Sequence, residues 1–149
     1  AASLPAAAAG LELGRAFLDR KGLPVDLSRL RQGDLLVMRT TLTAATDAVD
    51  NVAVVNLLPA GLEVENPRLA TTERLEWMAG DGDPVWQDLR DDRIVFFADA
   101  RPGRSVAAYT LLRVVTAGTF AVPAPQAEAM YAPALFARGE GGSMQVHGE

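Results

Sequence analysis

Residues able to do chemistry are few in this chain, and they are scattered. Carboxylates come closest to a pattern, in Asp81-Gly82-Asp83 and then in Asp88, Asp91 and Asp92. Both runs resemble fragments of calcium loops. Such a loop needs about six oxygens at ordered spacing and usually closes on an acidic residue, which neither run supplies. Turn chemistry accounts for both. A hydrolytic carboxylate pair belongs in a cleft, whereas these residues sit beside a turn with Arg90 and Arg93 next to them. Solvated or arginine-paired carboxylates are therefore expected. The sequence holds one histidine, His147, and no cysteine. Without cysteine the chain cannot itself form a disulfide, a cysteine-ligated zinc site, an iron–sulfur cluster or a thioester. A single histidine near the end suits a surface or interface position better than a catalytic triad. Gly139–Gly142 lacks the Lys and Ser/Thr order of a phosphate-binding loop and reads as a connector. No catalytic residue, cofactor site or metal site emerges, and the chain is not expected to be an enzyme.

The remaining candidates are interface residues. Tyr109 and Arg113 lie four apart on a predicted strand and so share a face. Trp77 and Tyr131 are large amphipathic groups suited to the margin of a contact surface. For Tyr109, Arg113 and Trp77, plain packing is the competing explanation. With 14 basic against 19 acidic residues the net charge is −5 and the pI ≈ 4.9. An acidic surface argues against nucleic acid and anionic membrane as partners. No run of 18 apolar residues is present, so no helical membrane insertion is expected.

These residues must be carried by strands. At 149 residues and 49% apolar composition, one domain able to bury a sizeable core is expected. Residues 1–10 read as a linker and residues 11–149 as the domain. Strand signals fall at Leu11–Asp19, Leu35–Thr43, Val52–Leu58, Leu62–Glu65, Val85–Leu89, Ile94–Ala98, Val106–Thr116 and Phe120–Val122, with Glu128–Ala132 and Ser143–His147 as short final strands. In Leu35–Thr43 the residues Leu36, Met38, Thr40 and Leu42 share one face. Ile94–Ala98 is apolar on both faces, which predicts a central strand. Phe96 and Phe97 point to opposite faces, so at least one is core. Arg101-Pro102-Gly103 turns the chain back, predicting a hairpin between Ile94–Asp99 and Val106–Thr116. Leu69–Met78 fits a short helix capped by Thr71 or Thr72. Apolar groups throughout Ala127–His147 place that segment inside the fold. Seven to eight short strands at such spacing define an all-β, antiparallel β-sandwich.

A series of segments carries a family resemblance. It begins with Arg31-Gln32-Gly33-Asp34-Leu35-Leu36-Val37 and Val55-Asn56-Leu57-Leu58-Pro59-Ala60-Gly61-Leu62-Glu63-Val64-Glu65-Asn66-Pro67. It continues through Asp88-Leu89-Arg90-Asp91-Asp92-Arg93, Gly118-Thr119-Phe120-Ala121-Val122-Pro123 and Gln126-Ala127-Glu128-Ala129-Met130-Tyr131-Ala132-Pro133. In order and spacing this series resembles the C-terminal macroglobulin-like domain of bacterial alpha-2-macroglobulins, the counterpart of the receptor-binding domain of the animal proteins. The resemblance covers roughly Leu11 to His147. It implies a macroglobulin-like sandwich within a long, periplasmic parent protein, tied to the inner membrane by a lipid in many members. It also implies a role in trapping attacking proteases, with a Cys–Gln thioester, where present, in another domain. The implied partners are other domains of the parent chain, periplasmic envelope proteins and, through the parent, proteases. The alternative reading is an Ig-like cell-surface or adhesin module.

Overall fold

The structure, a computed structural model, describes residues 7–65 and 87–148. Among these it is all β. Its strands are β1 (Ala7–Ala9), β2 (Leu11–Leu18), β3 (Leu30–Arg31), β4 (Leu35–Ala44), β5 (Val49–Leu57), β6 (Leu62–Val64), β7 (Gln87–Leu89), β8 (Arg93–Ala100), β9 (Val106–Val114), β10 (Gly118–Val122), β11 (Gln126–Ala129), β12 (Phe136–Arg138) and β13 (Gly142–His147). They form a six-stranded sheet in the order β1-β12-β11-β5-β8-β7, a four-stranded sheet in the order β2-β4-β9-β6, and a three-stranded sheet in the order β10-β13-β3. Pairing is antiparallel except for β13 with β3. The expected antiparallel sandwich is what the chain forms.

Period-two alternation sets the layers. In β4, Leu36, Met38, Leu42 and Ala44 are buried on the inner face, opposite Ala108 and Leu112 of the neighbouring strand β9. Val52 and Val54 of β5 and Phe96 of β8 meet Leu42, Ala44 and Ala108 from the six-stranded sheet. Beyond this first core lies a second, where Val122, Met144, Val146 and Leu30 of the three-stranded sheet close over Leu36, Met38, Leu112 and Val114. Each fully buried Leu, Val or Phe contributes about 1.5–3 kcal/mol of transfer free energy.

Two backbone conformations explain local residue choice. Gly33 has φ 93° in the turn from β3 to β4, where its N–H donates to Val114 O at 2.8 Å. Asn51 has φ 58° where the β5–β8 register shifts between Val49 and Val52. Asn tolerates this left-handed conformation far better than a β-branched residue does.

Several expectations need correction. Ile94–Asp99 and Val106–Thr116 do not pair: β8 lies between β5 and β7, and β9 between β4 and β6. The connection at 101–104 does turn the chain, but it carries it from one sheet to the other. There Ala44 N donates to Arg101 O at 3.2 Å, and Ala44 bridges Pro102. β8 is not covered on both faces, since Phe96 is fully buried while Phe97 is 51% exposed. The segment read as a linker enters the fold at its end, where Ala7–Ala9 pairs with Phe136–Arg138. The strand expected from Val52 begins earlier, at Val49. The short helix considered for Leu69–Met78 lies outside the described residues.

Candidate functional site

Among the described residues, the buried polar side chains form a belt between the two cores, with half-buried Arg15 at one end. On the four-stranded sheet the belt holds Arg15, Thr40 and Thr110; on the six-stranded sheet it holds Asn56 and Gln87. Thr40, Asn56 and Thr110 are each 1% exposed. Asn56 Nδ2 donates to Thr40 Oγ1 at 3.1 Å, and Thr110 Oγ1 donates to Gln87 Oε1 at 2.9 Å. Both bonds cross from sheet to sheet. Gln87 Nε2 also donates to Tyr109 O at 2.7 Å. Asn56 Oδ1 has no hydrogen-bond partner among the described residues.

Arg15 completes the belt at its open end. It faces inward because β2 places it beside Thr40. Its Nη1 donates to Pro123 O at 2.6 Å and its Nη2 to Glu140 O at 3.3 Å. The guanidinium lies 5.2 Å from the centroid of the Phe17 ring. Desolvation pulls its pKa down to about 10. Pro123 and Glu140 belong to the two connections that link the three-stranded and six-stranded sheets, so one planar fork holds both crossings.

The sequence-derived interface residues do not converge. Tyr109 and Arg113 share the outer face of the four-stranded sheet, as expected from their spacing, with Leu111 between them. Arg39 Nε donates to Tyr109 Oη at 3.0 Å and its guanidinium lies 5.9 Å from that ring. Arg113 Nε donates to Glu65 Oε2, and this bond, followed by the charge of Glu65, raises the Arg113 pKa. Leu18 and Val37 are buried on the same face, against partly buried Tyr109 and Leu111. Tyr131 stands elsewhere, 82% exposed beyond the end of β11. Trp77, Trp86 and Asp81-Gly82-Asp83 lie outside the described residues.

Asp88 and Asp92, on either side of the β7–β8 turn, are arginine-paired. Arg90 Nη2 lies 3.0 Å from Asp88 Oδ2, and Arg93 Nη2 lies 3.2 Å from Asp92 Oδ2. The hydrogen bond from Arg93 is the main cause holding the Asp92 carboxyl below its usual range. Among the described residues, no three His, Asp or Glu side chains are placed to hold a metal ion together. His147 is exposed, with Nε2 3.2 Å from Ser28 O.

Sequence reasoning missed the outer face of the six-stranded sheet. Phe97 and Phe136 are exposed there, and Phe136 lines a shallow groove of ≈ 320 Å³ over Ala53 and Val55. The signal available was the Phe96-Phe97 doublet, since alternation must turn one ring outward. The belt also left a trace, because Thr40 interrupts the apolar series Leu36, Met38, Leu42.

This architecture is that of a macroglobulin-type β-sandwich whose described buried polar groups tie sheets together and do not converge on a cleft. The comparisons with known proteins agree. The sequence model of the bacterial alpha-2-macroglobulin MG10 domain matches residues 10–134. Alpha-2-macroglobulin of Escherichia coli (strain K12) is 35% identical over 140 residues, covering 87% of this chain and 8% of that protein. Alpha-2-macroglobulin of Pasteurella multocida (strain Pm70) is 33% identical over 127 residues, covering 85% of this chain and 6% of that protein. Among solved structures, Salmonella alpha-2-macroglobulin reacted with methylamine superposes with a TM-score of 0.85 at 34% identity, over 97% of this chain and 10% of that one. Native Escherichia coli alpha-2-macroglobulin, spanning domain MG7 to the C-terminus, superposes with a TM-score of 0.87 at 32% identity, over 97% of this chain and 25% of that one. The form activated by porcine elastase gives 0.86 at 31% identity, over 97% and 14%. The chain belongs to the bacterial alpha-2-macroglobulin family, in its MG10 domain. It spans about a tenth or less of the full-length relatives it matches.

Proposed function

We propose that this chain is a non-catalytic structural and docking domain of a protease-trapping alpha-2-macroglobulin, working in the periplasm within a larger parent. The observation that carries this reading is the asymmetry of coverage: nearly all of this chain aligns with a small part of each relative. A unit that recurs inside a long chain acts through its contacts with the rest of that chain. Trapping requires a cleavable bait and movement among many domains, and a single compact sandwich offers neither. Covalent capture through a Cys–Gln thioester requires a cysteine, which these 149 residues lack. The Escherichia coli relative, activated by porcine elastase, supports a protease as the parent's target. The periplasmic assignment rests on the family resemblance and is tested by osmotic-shock fractionation with an antibody to this domain.

The direct test incubates trypsin or elastase with a large protein substrate, adding either the parent or this 149-residue chain. The parent should slow digestion of the large substrate while sparing hydrolysis of a small chromogenic peptide. The short chain should do neither. Inhibition by the short chain, or an SDS-resistant adduct with it, would move the activity into this domain and overturn the reading.

A further inference from the structure

The three-stranded sheet closes the second core through Leu30, Val122, Met144 and Val146, and two corners of different construction hold it there. At the first corner, connections 32–34 and 115–117 leave the neighbouring strands β4 and β9 side by side. Backbone laces this corner: Gly33 N donates to Val114 O and Val114 N to Asp34 O, each at 2.8 Å. Gln32 Nε2 adds a bond to Val115 O at 3.1 Å. At the second corner, connections 123–125 and 139–141 run between the three-stranded and six-stranded sheets. Gly139 N donates to Pro125 O at 3.0 Å, and a Cβ at Gly139 would lie 2.8 Å from Pro125 Cγ, so these two connections touch. A side chain ties this pair to the four-stranded sheet. Arg15, on edge strand β2, reaches over both connections to Pro123 O and Glu140 O.

We infer that Arg15 is a latch on the three-stranded sheet: when it lets go of Pro123 and Glu140, that sheet opens from the second core about the Gly33–Val114 corner, while the first core stays closed. The two cores make this division possible. The first draws no residue from β3, β10 or β13, so opening uncovers the second core alone. Ladders from β10 to β13 and from β13 to β3 keep the moving sheet together as one unit. Cooperative local openings follow units of this kind. Freeing the laced corner means breaking backbone bonds at the roots of β4 and β9. Freeing Arg15 takes only a change of side-chain rotamer, and its bond to Glu140 O is already exposed, so water can take over that carbonyl. Gly33 and Gly118, with φ 93° and 140°, stand where the chain leaves the laced corner for β3 and β10. Glycine absorbs the change in φ and ψ that a hinge requires. The long connection 19–29 supplies slack between β2 and β3.

Native-state hydrogen exchange of the 149-residue chain, read residue by residue by NMR at low urea concentrations, tests this. Backbone amides of β10 and β13 should share one opening, more frequent and less urea-dependent than the opening that exposes β5 and β8. Arg15→Met should speed exchange in β10 and β13 by about tenfold or more, the scale of losing hydrogen bonds from a charged group. Because the latch is made only in the closed state, β5 and β8 should speed up by the same factor. Arg15→Lys keeps the charge without the planar fork and should fall between. Val54→Ala, in the first core, should act differently. It should speed exchange in β5 and β8 and leave β10 and β13 unchanged, since they open with the first core intact. The wild-type urea dependence carries the test should either variant misfold. Exchange of β10 and β13 at the same urea dependence as β5 and β8 overturns the proposal, as does equal acceleration of all four strands by Val54→Ala. So does an Arg15→Met chain in which β5 and β8 speed up while β10 and β13 do not, for then the Arg15 bonds survive the opening.

Discussion

Asn56 on the six-stranded sheet donates its Nδ2 hydrogen to Thr40 Oγ1 on the four-stranded sheet, across 3.1 Å in the middle of the sandwich. Both residues are 1% exposed, so neither can turn to water when the other is removed. Thr40→Val should cost about 1–3 kcal/mol by stranding the amide. The double variant Thr40→Val/Asn56→Leu should be more stable than Thr40→Val alone, since it removes both partners. A double-mutant cycle in urea reads the coupling, and strict additivity would mean that the bond contributes nothing.

Phe96 and Phe97 are sequence neighbours with opposite fates. Phe96→Ala should cost about 3–5 kcal/mol, the range for truncating a fully buried aromatic. Phe97→Ala in the isolated chain should fall within about ±0.5 kcal/mol, as for other surface changes. Denaturant melts of the two variants give the comparison, and equal losses would contradict the outward placement of Phe97.

Removing the chain after Pro125 deletes β11, β12 and β13. β11 lies inside the six-stranded sheet and β13 is the middle strand of the three-stranded one. Met144 and Val146 are buried in the second core. The truncated chain should lose cooperative unfolding and aggregate through the exposed edge of β5. A monomeric truncation with an unchanged melt would show that these strands are dispensable.

The Asp26 carboxyl is held below its usual range, first by the Ser28 hydroxyl, then by the Ser28 amide, with Arg29 adding attraction and desolvation opposing. A depressed carboxyl contributes stability that is present above its unfolded pKa and is lost as the pH falls through the folded one. Ser28→Ala should therefore move the Asp26 titration upward, toward the ordinary value. Carbonyl-carbon NMR during an acid titration reads this residue directly, and an unchanged midpoint would remove the hydroxyl as the main cause.

Alternation made the inner faces of β4 and β9 legible, because each strand is long and half-buried. The sequence signal failed for β1, β3 and β12, which have three, two and three residues. Such short strands exist through partners far along the chain and show no period of their own. The β8–β9 pairing failed for a different reason. Arg101-Pro102-Gly103 reverses direction whether the next strand joins the same sheet or the facing one, and only packing decides. Candidate surface residues fared similarly. Tyr109 and Arg113 were correctly placed on one face, yet their bonds to Arg39 and Glu65 depend on strands the local sequence does not name. Phe136, placed within the fold by its apolar character, proved half outside it, because β12 turns it away from the core.

The pairing of Ala7 with Arg138 has a consequence for the time course of synthesis. At about 5–20 residues per second a ribosome delivers Arg138 about 7 to 26 s after Ala7. The central strand β5 waits a little over half as long for β11. Throughout that interval the nascent chain holds β4 and β5 complete, with β5 presenting an unpaired edge. Long-range strand pairing of this kind also folds slowly once the chain is whole. The domain therefore depends on being kept apart from its copies until its last quarter is made, and a premature stop late in the message harms it as much as one placed early.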